Sequence, residues 1–170
     1  MQITALSNDI SLMRPLEGGN EQQLAVVREV LQAVRERGDE AVRDYTAKWD
    51  GVVHDKFRVT KTEIDEAVVG FDAQLLQDLT EAAHNIRLYH EQQKRDGYKL
   101  PLADGSYLAQ RIIALDAVGL YVPGGSAAYP SSVLMNVIPA QVAGVGRIVI
   151  TSPAGRDGKL PAAVLVAAHI

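Results

Sequence analysis

An α/β fold is predicted for this 170-residue sequence, and three observations predict it. Apolar residues recur at helical spacing through most of residues 21–94, with polar residues between them. From residue 114 onward, short apolar runs of strand composition alternate with apolar helical stretches, the pattern of parallel strands joined by helices. The two styles meet near residue 118. The expected organisation is therefore a mainly helical lead-in with a few strands over 1–118, followed by the start of an incomplete parallel α/β domain over 119–170.

Taken in order, residues 1–19 lead in and close with Pro15 and Gly18-Gly19. Asn20 reads as an N-cap, with Gln23 three residues on to complete a capping box. Leu24, Val27, Leu31 and Val34 then mark an amphipathic helix over 21–37. Gly38 stands where a left-handed glycine ends a helix. The tripeptide Arg37-Gly38-Asp39 spells an integrin ligand, but a helix stop and restart accounts for all three residues. A second helix, Glu40 to Lys48, puts Ala41, Val42 and Tyr45 on one face before Trp49-Asp50-Gly51 turns the chain.

Val52 to Val59 is expected as a short strand or extended loop. Thr60-Lys61-Thr62-Glu63 is a capping box that opens a helix with Ile64, Ala67 and Val68 inward. A long helix follows over about 72–94, with Leu75, Leu79, Ala82, Ile86 and Tyr89 along one stripe. Asp96-Gly97 ends it. Leu102 to Ser106 makes a hairpin-like turn, and Tyr107 to Ile113 reads as a strand.

The C-terminal part opens with a strand over 114–122. It breaks at Pro123-Gly124-Gly125 and passes into a helix over 131–144, which Ser131 or Ser132 is placed to cap. Pro139 should kink that helix or cost the bond to Met135. Arg147 to Thr151 is a second strand, and Pro161 to Ile170 a second helix. Two parallel strands make a poor sheet, and a terminal helix reading AAVLVAAHI, apolar on most faces, expects more protein around it. The unit reads as unfinished.

Composition narrows the function classes. Hydrophobic content of 47% with 22% charged residues is ordinary for a globular chain. Seventeen basic against 21 acidic residues leave a net charge of −4, which gives no basic excess to neutralise nucleic-acid phosphates. There is no cysteine, hence no disulfide, thiolate metal site or thiol nucleophile, which fits a reducing cytoplasm. No signal peptide and no apolar run of the ~20 residues that span a bilayer is present, so a soluble cytoplasmic protein with no membrane partner is expected.

Chemistry is sparse. A strand that breaks at glycines before a helix is how α/β proteins present backbone amides to an anion. Gly124-Gly125, however, lacks the outer glycines of the dinucleotide fingerprint, and no phosphate-loop motif occurs. Of the four histidines, His84 and His90 lie roughly 240° apart on one helix and cannot share a metal. His90-Glu91 begins a zinc-helix motif, but Lys94 stands where its second histidine belongs. No serine lies in a nucleophile elbow. The residues supply no complete catalytic site.

The segment Gly119-Leu120-Tyr121-Val122-Pro123-Gly124-Gly125, with Tyr129-Pro130-Ser131-Ser132-Val133-Leu134-Met135-Asn136 and Ile138-Pro139-Ala140 after it, resembles histidinol dehydrogenase. The resemblance extends to Leu12-Met13-Arg14-Pro15, Arg37-Gly38-Asp39-Glu40-Ala41, Tyr45-Thr46 and Asn85-Ile86. Trp49-Asp50-Gly51 matches as well, with tryptophan where many relatives have phenylalanine. It implies a Rossmann-like α/β domain and oxidation of L-histidinol to L-histidine with NAD and zinc, in a cytoplasmic homodimer. It also implies that the catalytic residues, the zinc ligands and most substrate contacts come from segments C-terminal to Ile170, so no catalytic or metal residue is assigned. Tyr121 matches a tyrosine that contacts NAD, with Pro123 as its neighbour, and these two are the expected cofactor-binding residues. Gly124 and Gly125 are expected to shape the turn. On this reading the chain is the N-terminal portion of the enzyme, inactive alone, and expected to bind NAD poorly and to hold no cofactor tightly. The other reading is a naturally short, non-catalytic paralogue that serves as a binding or assembly module.

Overall fold

The computed structural model describes residues 21–124 and 127–170. Two compact units divide the chain, one up to Tyr45 and one from Thr46. Asn20, the expected first N-cap, lies outside the described residues.

In the first unit, helix α1 (Glu21–Arg37) has the bounds its periodicity predicts. Acidic Glu21 opens it and Arg35 and Arg37 close it, each charge favourable to the helix dipole. Gly38 has φ +58°, so the predicted left-handed stop is present. Its amide donates to the Val34 carbonyl at 2.8 Å. Helix α2 (Asp39–Trp49) starts at once and runs across the division between the units. Within the first unit Arg37 donates to Asp44 at 2.6 Å, and the Tyr45 hydroxyl donates to Glu29 at 3.2 Å. Ala41 is fully buried, whereas Leu24, Val27 and Leu31 of the α1 stripe are exposed.

The second unit starts with the end of α2 and Gly51 at φ +71°. Residues 52–60 form no strand, so of the two expected forms the extended loop is found. Helix α3 (Lys61–Val69) has both bonds of the predicted capping box. Thr60 Oγ1 accepts from the Glu63 amide at 3.2 Å, and the Thr60 amide donates to Glu63 Oε2 at 2.7 Å. The Thr60 amide bond, and then a bond from the Thr60 hydroxyl to Glu63 Oε2 at 2.7 Å, hold the Glu63 carboxyl below its ordinary pKa. A depressed carboxylate pKa contributes stability that is present above its unfolded value and lost as pH falls through the folded one. Loss of this N-cap in Thr60→Ala is expected to cost about 1 kcal/mol at neutral pH. That difference should shrink on acidification past the Glu63 pKa, which chemical denaturation of both proteins at neutral and acidic pH would measure.

Helix α4 (Ala73–Glu91) is capped by Asp72, whose side chain accepts from the Leu75 amide at 2.9 Å. Strands β1 (Tyr98–Pro101) and β2 (Tyr107–Gln110) pair antiparallel around the predicted turn. There Gly105 has φ +85°, and Asp104 accepts from the Ser106 amide and hydroxyl. The second strand stops at Gln110 rather than Ile113, because pairing with β1 runs out there.

Strand β3 (Ala117–Tyr121), helix α5 (Pro130–Val142) and strand β4 (Arg147–Thr151) form one β–α–β unit, and helix α6 (Ala162–His169) completes the chain. The two strands are parallel, with Ala117 opposite Arg147 and Tyr121 opposite Thr151. This is the α/β architecture the alternation predicts. Neither serine caps α5. Tyr129 is the N-cap residue without a side-chain bond, and Pro130 takes the first turn, where its fixed φ suits the helix and its missing N–H costs nothing. Pro139 leaves the helix unbroken to Val142. It has no N–H for the Met135 carbonyl, and Met135 lies on the exposed side.

The core of this unit lies around α5. Val133, Leu134, Ile138 and Val142 are buried there with Ala83 of α4, Val164 and Ala167 of α6, and Val122. Helix α4 packs on α5, α6 on α5, and α3 on α6. Packing therefore crosses residue 118.

Candidate functional site

Parallel pairing places the carboxyl ends of β3 and β4 side by side, the edge at which open α/β sheets bind ligands. Residues alternate along both strands. Val118, Leu120, Ile148 and Ile150 are half-buried, and Ile150 packs on the core. Ala117, Gly119, Tyr121, Val149 and Thr151 are exposed on the opposite face.

Tyr121 is the last residue of β3, and its side chain is 65% exposed. The next residue, Val122, is fully buried, and its amide donates to the Thr151 carbonyl at 2.8 Å. One rigid bond thus ties the start of the turn to β4. Pro123 is exposed and fixes the backbone as it leaves the sheet. Gly124 passes so close to the segment after β4 that a Cβ there would lie 2.9 Å from the Pro153 carbonyl oxygen and 3.0 Å from Ser152 Oγ. This close approach is the reason a glycine is needed. Gly125 lies outside the described residues.

The segment after β4 is also a closed turn. The Gly155 amide donates to the Lys159 carbonyl at 2.8 Å, the Lys159 amide donates to Asp157 Oδ1 at 3.1 Å, and Gly158 has φ +74°. Both turns are therefore braced by backbone bonds, with an exposed aromatic ring and a glycine between them. That geometry leaves the Tyr121 ring open beside a close backbone approach.

The expected pair Tyr121 and Pro123 stands together on this edge. Ser152 is absent from the sequence reading. Its signal was a Ser-Pro step directly after a strand, which carries no motif by itself. The histidines are dispersed: His84 is exposed on α4, His90 is bonded through Nδ1 to Gln93 at 2.7 Å, His54 neighbours Gly158, and His169 is at the end of α6. Among the described residues no three His, Cys, Asp or Glu side chains converge as a metal site, so they do not fit a zinc ion. Among the described residues no helix is long and apolar enough to cross a membrane.

Comparison with known proteins places this edge in context. The family model described as histidinol dehydrogenase matches residues 15–170. The histidinol dehydrogenase of Geobacillus kaustophilus is 53% identical over 169 residues, which cover 99% of this chain and 40% of that protein. That of Bacillus subtilis is 52% identical over 159 residues, covering 94% of this chain and 37% of the relative. The crystal structure of histidinol dehydrogenase from Elizabethkingia anophelis superposes with a TM-score of 0.79 at 32% identity, over 92% of this chain and 36% of that one. The chain thus spans about 40% of the length of the curated relatives it matches.

Proposed function

Because the chain belongs to the histidinol dehydrogenase family, we propose that it is the N-terminal portion of an enzyme that oxidises L-histidinol to L-histidine with NAD and zinc, in histidine biosynthesis. The observation that carries this reading is the continuous match, 53% identical across 99% of this chain yet only 40% of the relative.

In this reading the carboxyl edge of β3 and β4 forms one wall of the NAD site. Tyr121 offers an exposed ring to stack on a flat base or nicotinamide, and a phenol to hydrogen-bond at its rim. Pro123 holds the turn rigid, and Gly124 lets the backbone approach. Bound NAD supplies the hydride acceptor. The zinc ligands and the base that removes the alcohol proton come from sequence outside this chain. In this reading the complete enzyme is a homodimer in the cytoplasm. No observation favours the non-catalytic binding-module reading over this one.

The purified chain, given L-histidinol, NAD and zinc, is expected to produce no NADH above the blank. Saturable NADH formation, read by absorbance, would show that the chain carries its own reacting groups and would overturn the division of labour proposed here.

A further inference from the structure

Among the described residues one buried side-chain polar atom lacks a hydrogen-bond partner, and it is Ser152 Oγ. Buried hydroxyls in native proteins are paired, so an unpaired one calls for a physical reason. Its position supplies one. Ser152 is the first residue after β4, and the register that sets Tyr121 opposite Thr151 brings it level with Val122. Its Oγ would lie 3.0 Å from a Cβ on Gly124, directly against the turn that leaves β3. Pro153 follows and restricts the backbone on that side, which leaves the glycine turn the softer of the two.

We propose that Ser152 is a positioning residue of the dinucleotide site, its hydroxyl taking its hydrogen-bond partner from the backbone of the Pro123-Gly124 turn when a dinucleotide is seated there. This rests on the NAD reading of the site and adds to it a residue that acts through the turn rather than on the ligand. A hydroxyl both donates and accepts, so either a turn amide or a turn carbonyl satisfies it. In the conformation described it has neither, although the turn is in van der Waals reach. A small shift of the turn makes the bond, and a ligand that favours the shifted turn gains the bond's free energy in affinity. The cost of the unpaired hydroxyl is borne by the conformation without it.

The test uses the 170-residue chain and its Ser152→Ala variant, with thermal unfolding and calorimetric titration at millimolar NAD. The variant is expected to melt at or above the wild-type temperature without NAD, since it loses an unpaired buried hydroxyl and no bond. Its NAD affinity is expected to fall about five-fold, the worth of one neutral hydrogen bond. A lower melting temperature without NAD overturns the proposal, because the hydroxyl would then hold the fold itself. Equal affinity in variant and wild type also overturns it, while leaving the NAD site standing. No detectable NAD binding by the wild-type chain overturns the site reading, and the positioning role with it.

Discussion

Leu134→Ala is expected to destabilise the second unit by about 3 kcal/mol. The side chain is only 2% exposed and lies on α5, the helix that both α4 and α6 pack against. Truncation removes its buried methyl groups and leaves a cavity that three elements cannot close without moving. Domains of this size have stabilities of roughly 5–15 kcal/mol, so one such change consumes a large share. Thermal unfolding should show a melting temperature lower by roughly 10 °C. Leu134→Met conserves volume and should cost less than about 1.5 kcal/mol. Met135→Ala, one residue along on the exposed side, should change stability by no more than about 0.5 kcal/mol. Equal losses at 134 and 135 would show that α5 is not the centre of the core.

Gly124→Ala is the second large effect, and it falls on stability and binding together. Alanine restricts the unfolded chain, which stabilises by about 0.4–1 kcal/mol where the native backbone accepts it. Here the added Cβ would lie 2.9 Å from the Pro153 carbonyl oxygen, a backbone atom that cannot swing aside. Separation of the two turns is the only relief, and overpacking of this kind costs about 1–3 kcal/mol. The clash outweighs the entropy gain. The Val122 amide bond to Thr151 is the nearest structure to loosen, so hydrogen exchange at Val122 should quicken in the variant. NAD binding should weaken as well, because the turn would no longer lie against the end of β4. Wild-type stability in Gly124→Ala would show that the close approach does not constrain the turn.

Much of this fold was legible in the sequence, and the reasons are local. Thr60 and Glu63 announced their helix because a capping box needs only residues three apart. Gly38 announced its stop because a left-handed residue after an apolar stripe is almost always glycine. The strand Arg147–Thr151 has the limits its sequence predicts. Capping of α5 was misread because Pro130 can start a helix unaided, which leaves both serines inside the first turn. The strands around 114–122 and 107–113 were drawn too long, because composition does not show where a partner strand ends.

The site was legible in a different way. Tyr121 and Pro123 came from resemblance over a long motif, whereas the glycine pair alone lacked the dinucleotide spacing. Ser152 was invisible. Its interest lies in a contact between two turns 28 residues apart in sequence, and no local pattern encodes the absence of a hydrogen-bond partner.

The measurement that tests the central claim most directly is a titration of the isotopically labelled chain with NAD, followed by amide NMR shifts. A dinucleotide wall at the carboxyl edge of the sheet predicts shifts concentrated at Tyr121, Val122, Gly124 and Ser152 and weak elsewhere, saturating only at high NAD concentration. Shifts at α1, at the β1–β2 hairpin, or nowhere would contradict it.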